Sequence, residues 1–315
     1  MKRTLLLAGL AAMQIGAGVA AAKQTEPAPA SKAAPAATVS GVTVNAPQKE
    51  NPLVDPTTQF VRQHLPDSAF SGQLARFRDE VCVKVVGLPP EFDAFIAKHL
   101  IDVAAEVHAP IARAATCTPN VNVVFTPNPQ AQLDDIAKRK DVLLGFHFLA
   151  QTKKLTTVDR PIQAWYVTRT RDTTGNSWLE VANPCPANVG DTYVGSCGDR
   201  PMGRAGSRLG NDMSAEVVHS LILADTNKLA GVKIEMVADY IAVLALAKWQ
   251  GLDRCNATPT ILNRMADGCD DPPDAATPQD LALLTGLYSV EARESGSQQR
   301  ATIASAMRKA GEDHR

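Results

Sequence analysis

The sequence is poor in aromatic residues, in blocks of like charge and in long apolar runs, and each shortage excludes a class of protein. Phe, Trp and Tyr make up 5% of the 315 residues, which is too few for a platform on which bases or sugars stack. The formal charge is −1 and no block of five like charges occurs, which argues against the basic patch of a nucleic-acid-binding protein. Beyond the N-terminus the longest apolar run, residues 237–247, is interrupted by Asp239, and no membrane span is predicted there.

The motifs of common enzyme classes are also missing. The chain contains no GxSxG, GxxxxGK[ST], HExxH or GxGxxG pattern, so no nucleophile elbow, phosphate-binding loop or zinc-protease helix is indicated. The glycine cluster at residues 203–210 lacks the preceding strand that a phosphate-binding loop needs. The absence of CxxC argues against a thiol oxidoreductase and a zinc ribbon. We therefore predict no cofactor and no metal ion.

The N-terminus has the pattern of a secretory signal peptide over residues 1–22. Lys2 and Arg3 precede an apolar stretch at residues 5–19, and three alanines close the segment. Removal of these two basic residues changes the formal charge from −1 to −3. We predict an exported, periplasmic or secreted protein with no membrane span after signal removal. The alternative is a retained membrane anchor, for which the apolar stretch is short.

The rest of the chain divides into three parts. Residues 23–56 are rich in Pro, Ala, Ser and Thr and are predicted to be a disordered linker, because they carry too little apolar surface to fold. Within them residues 39–47, VSGVTVNAP, could add as a strand to a partner's sheet edge, although an ordinary linker is the simpler interpretation. One domain is predicted over residues 57–290, followed by a polar helical or frayed tail over residues 291–315.

Six cysteines in an exported chain favour disulfides. Because six thiols allow many connectivities, the pairing of sequence neighbours is a hypothesis and not a deduction. The predicted pairs are Cys82–Cys117, Cys185–Cys197 and Cys255–Cys269. Closing a loop of about 15 residues stabilises a fold by roughly 3 kcal/mol in the chain-entropy model.

Alternating strand and helix patterns predict an α+β (mixed α/β) fold. Its centre is an apolar stretch of strand length at residues 217–224, followed by a turn and an apolar helix over residues 233–249. Further strands are predicted at residues 81–86, 121–125, 142–148 and 162–170, and helices at residues 71–78, 91–107, 130–140 and 278–288. We therefore predict a single disulfide-stapled domain built around one central strand-helix unit.

Four polar residues are weak candidates for catalysis. His147 lies on a predicted apolar strand, His219 begins the central strand and Asp239 interrupts the central helix. Each histidine is more simply a hydrogen-bonded core residue. Asp239 is more simply half of an ion pair, because an isolated buried carboxylate costs several kcal/mol. Arg160, the fourth candidate, or Arg169 could supply the partner.

Three stretches resemble a family of exported α-proteobacterial proteins without an assigned activity. They are VCVKVVGLPPEFDAFI from Val81, RPIQAWYVTRT from Arg160 and LILADTNKLAGVKIEMVADYIAVLALA from Leu221. The resemblance covers most of residues 40–290 and implies no site residues. The element order also resembles that of zinc metalloproteases, in which a late central helix carries HExxH. The matching stretch, MVADYIAVL at residues 236–244, has no histidine, so this resemblance implies a degenerate zincin-like fold without its metal chemistry.

Two functions of different classes are consistent with the sequence. The first is an exported, non-catalytic domain that binds an envelope protein or a cell-wall component. The second is a hydrolase with a site near the four candidates, two of which would have to meet within hydrogen-bond distance in a deep pocket. Arg160, Trp165 and Tyr166 could form a polar and aromatic wall of that pocket. A third, weaker hypothesis is a lectin-like or peptidoglycan-associated module, which needs an exposed aromatic shelf around Trp165, Trp178 and Tyr193.

Overall fold

The chain forms an α+β fold in which helices pack on a six-stranded mixed sheet. The computed structural model describes residues 55–313 apart from residues 69, 114–115, 140–143, 146–151, 173, 181–212 and 293. The helices in this part are α1 (Pro56–His64), α2 (Pro90–Glu106), α3 (Pro129–Ile136), α4 (Thr152–Leu155), α5 (Ile234–Leu246), α6 (Pro278–Ser289) and α7 (Gly296–Asp313), with 3-10 helices at Ala137–Arg139 and Ile261–Met265. The strands are β1 (Arg76–Phe77), β2 (Val83–Val86), β3 (Val121–Thr126), β4 (Ile162–Asp172), β5 (Ser177–Leu179) and β6 (Met213–Asp225).

The sheet has the spatial order β2-β3-β6-β4-β5, with β1 also beside β6. β1 and β3 are parallel to β6, and β2 is parallel to β3. β4 is antiparallel to β6, and β5 is antiparallel to β4. The long strand β6 therefore contacts three other strands and forms the centre of the sheet. A register irregularity between Val167 and Thr168 of β4 places Thr168 opposite Val217.

The core of the molecule is the strand-helix unit of β6 and α5. Ten of the 13 residues of α5 are buried, as expected for a helix that is apolar on most sides. The Tyr166 hydroxyl donates to the Leu244 carbonyl (2.7 Å), and the Ser220 hydroxyl donates to the Ala245 carbonyl (3.2 Å). These bonds place α5 on one face of the sheet, which we call the helix face.

The opposite face of the sheet, which we call the α3 face, carries a smaller apolar cluster. It consists of Leu133, Leu144, Trp165, Leu221 and Leu223. The Trp165 indole N–H donates to the Leu155 carbonyl (2.7 Å). Because consecutive strand residues point to opposite faces, Trp165 lies on this face while Tyr166 lies on the helix face.

Two of the predicted disulfides are present in the described residues. Cys82–Cys117 joins the start of β2 to the segment before β3, and Cys255–Cys269 closes the segment around the second 3-10 helix. The predicted pair Cys185–Cys197 lies outside the described residues. Such bonds persist in oxidising compartments and are consistent with a non-cytoplasmic protein. None of the helices described is both long and apolar enough to cross a bilayer.

Residues 71–78 differ from the sequence prediction, which made them a short helix. They contain β1, whose Arg76 and Phe77 pair with Glu216 and Val217 of β6. Pairing with a distant strand overrides local preference here, because the ladder and the buried Phe77 are tertiary interactions.

The C-terminal segment, predicted to be a polar helical or frayed tail, is helical but packs on the domain. It forms the 18-residue helix α7, in which Ile303, Ala304 and Met307 are buried. Gly286 of α6 allows α7 to approach closely, since a Cβ there would lie 3.0 Å from the Ile303 Cα. The folded domain therefore includes α7. The predicted signal peptide, nearly all of the linker and most of the predicted strand at residues 142–148 lie outside the described residues.

Candidate functional site

The sheet separates two of the four candidate residues from each other. Ser220 points to the helix face through its bond to α5, so its neighbour His219 points to the α3 face. Asp239 lies on α5, on the helix face. His219 and Asp239 therefore cannot form a catalytic pair. His147 lies outside the described residues.

His219 forms one hydrogen bond and has no carboxylate beside it among the described residues. Asn122 Nδ2 lies 2.9 Å from His219 Nε2, and because the amide nitrogen donates, we assign the imidazole lone pair to Nε2. The other ring nitrogen, Nδ1, is buried without a partner in the described part of the chain. Burial lowers the pKa of His219 below its ordinary value, so the ring is neutral at pH 7. A general base would need an orienting group on Nδ1.

Asp239 is in an ion pair, as predicted, but its partner is His99 of α2. His99 Nε2 lies 2.5 Å from Asp239 Oδ1, and the Ala276 N–H donates to Oδ2 (2.9 Å). Burial by itself would raise the pKa of Asp239, but the hydrogen bonds from His99 and Ala276 hold it below its ordinary value. The Phe95 ring stacks on His99 at a centroid distance of 6.1 Å. The group joins α2, α5 and the segment before α6, which is a structural role.

The two arginines proposed as partners of Asp239 are used elsewhere. Arg169 Nε donates to Glu216 (2.5 Å), and Arg160 Nη2 lies 3.4 Å from Asp253. Arg160 and Tyr166 line one small pocket, which has room for water but not for an organic substrate. Trp165 lies on the other face of the sheet, so the predicted wall of Arg160, Trp165 and Tyr166 is not formed.

The aromatic shelf required by a sugar-binding module is also not formed as predicted. Trp165 is 1% exposed, and Tyr193 lies outside the described residues. Within the described residues no group of three or more His, Cys, Asp or Glu side chains could hold a metal ion.

A buried carboxylate that the sequence analysis did not identify is Glu180, which follows β5 and is 1% exposed. It accepts hydrogen bonds from the hydroxyls of Ser68, Thr168 (2.9 Å) and Thr170 (2.5 Å). Burial alone would raise the pKa of Glu180, but these bonds and the charge of Lys248 keep it below its ordinary value. Both carboxylate oxygens are occupied, so the cluster is a satisfied buried network. The i, i+2 spacing of Thr168 and Thr170 could have indicated this cluster from the sequence, because it places both side chains on one face of a strand.

One edge of β2 is left open by the residues that the structure describes. β2 pairs with β3 on one side. Cys82 bonds toward β3, whereas Val81 exchanges hydrogen bonds with residues 110–112 on the other side. Alternation along the strand then directs the backbone N–H and C=O of Val83 and Val85 outward, and no residue in the described ranges pairs with them.

Large apolar side chains are exposed on β2 and on the helix that follows it. Val86 at the end of β2 is 38% exposed, and Phe92 and Phe95 in the first turns of α2 are 42% and 38% exposed. Val86 points to the α3 face, because it alternates with Val85, which packs with α2 on the helix face. Apolar side chains are therefore exposed on both sides of the sheet here, and exposed apolar surface can mark an interaction site. We call the outward backbone of Val83 and Val85, together with Val86, Phe92 and Phe95, the β2 edge surface.

Comparison with known proteins gives no match: no family profile, no curated protein and no solved structure is significantly similar to this chain. The function is therefore argued from the geometry of the molecule.

Proposed function

We propose that the protein is an exported, non-catalytic domain that binds a protein partner of the cell envelope through the β2 edge surface. The single observation that carries this proposal is the edge of β2 that no described residue covers, together with the exposed side chains of Val86 on β2 and of Phe92 and Phe95 on the helix that follows it. The signal-like N-terminus and the two disulfides support export.

The polar candidates favour the non-catalytic function over the hydrolase. Asp239 is engaged by His99, Arg160 lies near Asp253, and His219 bonds to Asn122. No two of the described candidates hydrogen-bond to each other, and a hydrolase site requires such convergence. Each side chain instead has a local structural partner.

The edge itself indicates the form of the partner. The outward N–H and C=O groups of Val83 and Val85 match the backbone of an extended peptide, which can add as a further strand. Backbone hydrogen bonds would supply affinity, and contacts with Val86 and Phe92 would supply specificity through the partner's apolar side chains. Edge strands that lack a partner are also sites of unwanted association, so a dedicated partner would protect this edge.

The variant Val85→Pro tests the proposal. Proline removes the outward N–H of Val85 but leaves the N–H groups of Lys84 and Val86, which face β3. The mature protein serves as bait in a periplasmic extract, and the partner captured by the wild type is quantified. We expect Val85→Pro and Phe92→Ser each to reduce capture about tenfold or more, corresponding to a loss of at least ~1.4 kcal/mol.

Leu179→Ser is the matched control, because Leu179 is a 48% exposed apolar residue on β5 at the opposite edge of the sheet. This variant should capture the partner like the wild type. Unchanged capture by a Val85→Pro protein with a native circular dichroism spectrum would show that the β2 edge is not the binding surface.

A further inference from the structure

Arginine side chains collect around one buried carboxylate near the start of β6. Glu216 is 2% exposed and lies opposite Arg76 of β1 and Arg169 of β4 in the sheet register. Arg78 and Arg171 each follow two residues later in the chain. The charges of Glu216 and Arg171 both act on Arg78, so these groups form one cluster.

Glu216 is fully engaged by the two arginines of β4. Arg169 Nε donates to Oε2 (2.5 Å), and Arg171 donates through Nε to Oε1 (2.9 Å) and through Nη2 to Oε2 (3.3 Å). The other carboxylate of the cluster, Asp79, accepts from Arg169 Nη2 (2.6 Å). Neither carboxylate accepts a hydrogen bond from Arg78 in the described contacts.

Arg78 is therefore left with unsatisfied donors. Its Nε and Nη2 atoms are shielded from solvent and have no hydrogen-bond partner among the described residues. An unsatisfied buried donor costs about 1–3 kcal/mol, and burial lowers the pKa of Arg78 while Glu216 opposes that change. Arg76 also has one buried donor, Nη1, without a partner among the described residues. Its Nη2, however, donates to the Val290 carbonyl (2.5 Å), and the charge of Glu294 acts on it.

The charges in the cluster do not balance. Arg78, Arg169 and Arg171 carry three positive charges, whereas Glu216 and Asp79 carry two negative charges. One negative charge with two acceptor oxygens would neutralise the excess and satisfy a guanidinium edge, and a carboxylate has this shape and charge. A phosphate, which carries between one and two negative charges at neutral pH, would overcompensate. Arg171 is a partly exposed member of the cluster, with 37% of its side chain exposed. Because Nε and Nη2 of Arg78 are shielded, a ligand reaches them only after a local side-chain movement.

We propose that Arg78, together with the partly exposed Arg171, binds one carboxylate group of a ligand after a local side-chain movement. The carboxylate can belong to a small organic acid or to the C-terminus of a peptide, since both present the same two oxygens. The site is independent of the β2 edge surface, because Arg78 follows β1 and its neighbours lie on β4 and β6.

Thermal unfolding of the full mature chain in sodium acetate, sodium phosphate and sodium chloride at equal ionic strength and pH 7 tests the site. We expect acetate to raise the melting temperature of the wild type above its value in the other two salts, because a ligand that binds only the folded state stabilises it. Arg78→Gln should abolish the acetate response, and Arg62→Gln, a control on the exposed side of α1, should retain it. Arg78→Lys, which keeps the charge but loses the planar fork, should weaken acetate binding about tenfold in a calorimetric titration.

Peptides distinguish the two sources of the carboxylate. If a peptide terminus is the ligand, a short peptide with a free C-terminus binds more tightly than acetate, and its amidated form does not bind. If a small acid is the ligand, acetate binds and the peptide adds no affinity. Either result supports the site when it depends on Arg78.

An equal acetate response from wild type and folded Arg78→Gln would overturn the proposal, as would an equal response to phosphate and acetate. Arg78→Gln leaves the β2 edge surface unchanged, so this variant should capture the envelope partner like the wild type. The two proposals can therefore fail separately.

Discussion

At the residue scale, Asp239, one of the four candidate catalytic residues, forms an ion pair with His99 that joins separate elements of the fold. His99 lies on α2, Asp239 on α5, and the Ala276 N–H reaches the same carboxylate from the segment before α6. A half-buried charged pair of this kind is stabilising only while both groups are ionised. The stability of the fold should therefore depend on pH through this contact.

The direction of this pH dependence follows from the pKa shifts of His99 and Asp239. The hydrogen bond to Asp239 raises the pKa of His99 above its ordinary 6.5, although burial opposes this. The contribution of His99 to the free energy of unfolding is thus complete below pH 6.5. It is lost as the pH rises through the raised pKa of His99 in the folded state. The pKa of Asp239 lies below its ordinary 3.8, so its contribution is complete above pH 3.8 and is lost as the pH falls through the lower folded-state value.

We predict that the wild type loses about 1 kcal/mol of unfolding free energy, relative to His99→Gln, between pH 6 and pH 9. Urea unfolding of both proteins at each pH measures this difference. The neutral buried His219 acts in the opposite direction, but it is common to both proteins and cancels. A wild-type advantage that stays constant, or grows, toward pH 9 would contradict the assignment.

At the element scale, one carboxylate joins the start of α6 to the second 3-10 helix. Asp280 forms a capping box with Thr277. The same side chain accepts from the Ile261 N–H (2.8 Å) and the Thr260 hydroxyl (2.5 Å). It is 2% exposed, and burial raises its pKa although these hydrogen bonds oppose the shift. Two elements therefore depend on one acceptor group.

Asp280→Ala should destabilise the protein by about 3 kcal/mol, because it removes a cap and leaves buried donors unsatisfied. Denaturant unfolding measures the loss. Asp274→Ala is the matched control: Asp274 is 59% exposed and pairs with Arg264 at 3.0 Å, so its removal should cost less than ~1 kcal/mol. Similar losses in the two variants would show that the cap does not join the elements energetically.

At the scale of the whole molecule, the C-terminal helix holds the N-terminal part of the domain in place. Gln299 of α7 is fully buried and accepts from the Leu74 N–H (2.8 Å), just before β1. Arg308 donates to Asp55 (2.7 Å), the N-cap of α1. The apolar contacts of Ile303 and Met307 lie between these two polar links. The two ends of the described chain thus stabilise each other.

We predict that a chain ending at residue 295 loses cooperative unfolding. The loss of Ile303 and Met307 alone removes roughly 3–6 kcal/mol of burial, which is comparable to the total stability of a domain. Calorimetry and near-UV circular dichroism would detect the loss, and a chain ending at residue 313 is the control that should unfold like the wild type. A sharp, unshifted transition in the shorter chain would mean that the domain ends before α7.

The sequence by itself determined the elements whose interactions are local. The apolar composition predicts β6 and α5, and the Thr277 cap predicts the start of α6. The pairing of neighbouring cysteines was a hypothesis that the structure confirms for the two described disulfides. Two further features could have been predicted from the spacing of residues in the sequence. Alternation along β4 separates Trp165 from Tyr166, and the four-residue spacing of Ile303 and Met307 predicts a buried helix face.

Only the tertiary structure decided which distant groups meet. Asp239 pairs with His99 across 140 positions of sequence, and β1 forms because Arg76 and Phe77 lie beside β6. The outward direction of Val83 and Val85 and the unsatisfied donors of Arg78 likewise depend on the neighbours that packing supplies or withholds. A periodic pattern records which face of an element is buried, but the partner of a polar group is chosen by the spatial arrangement of elements far apart in the chain.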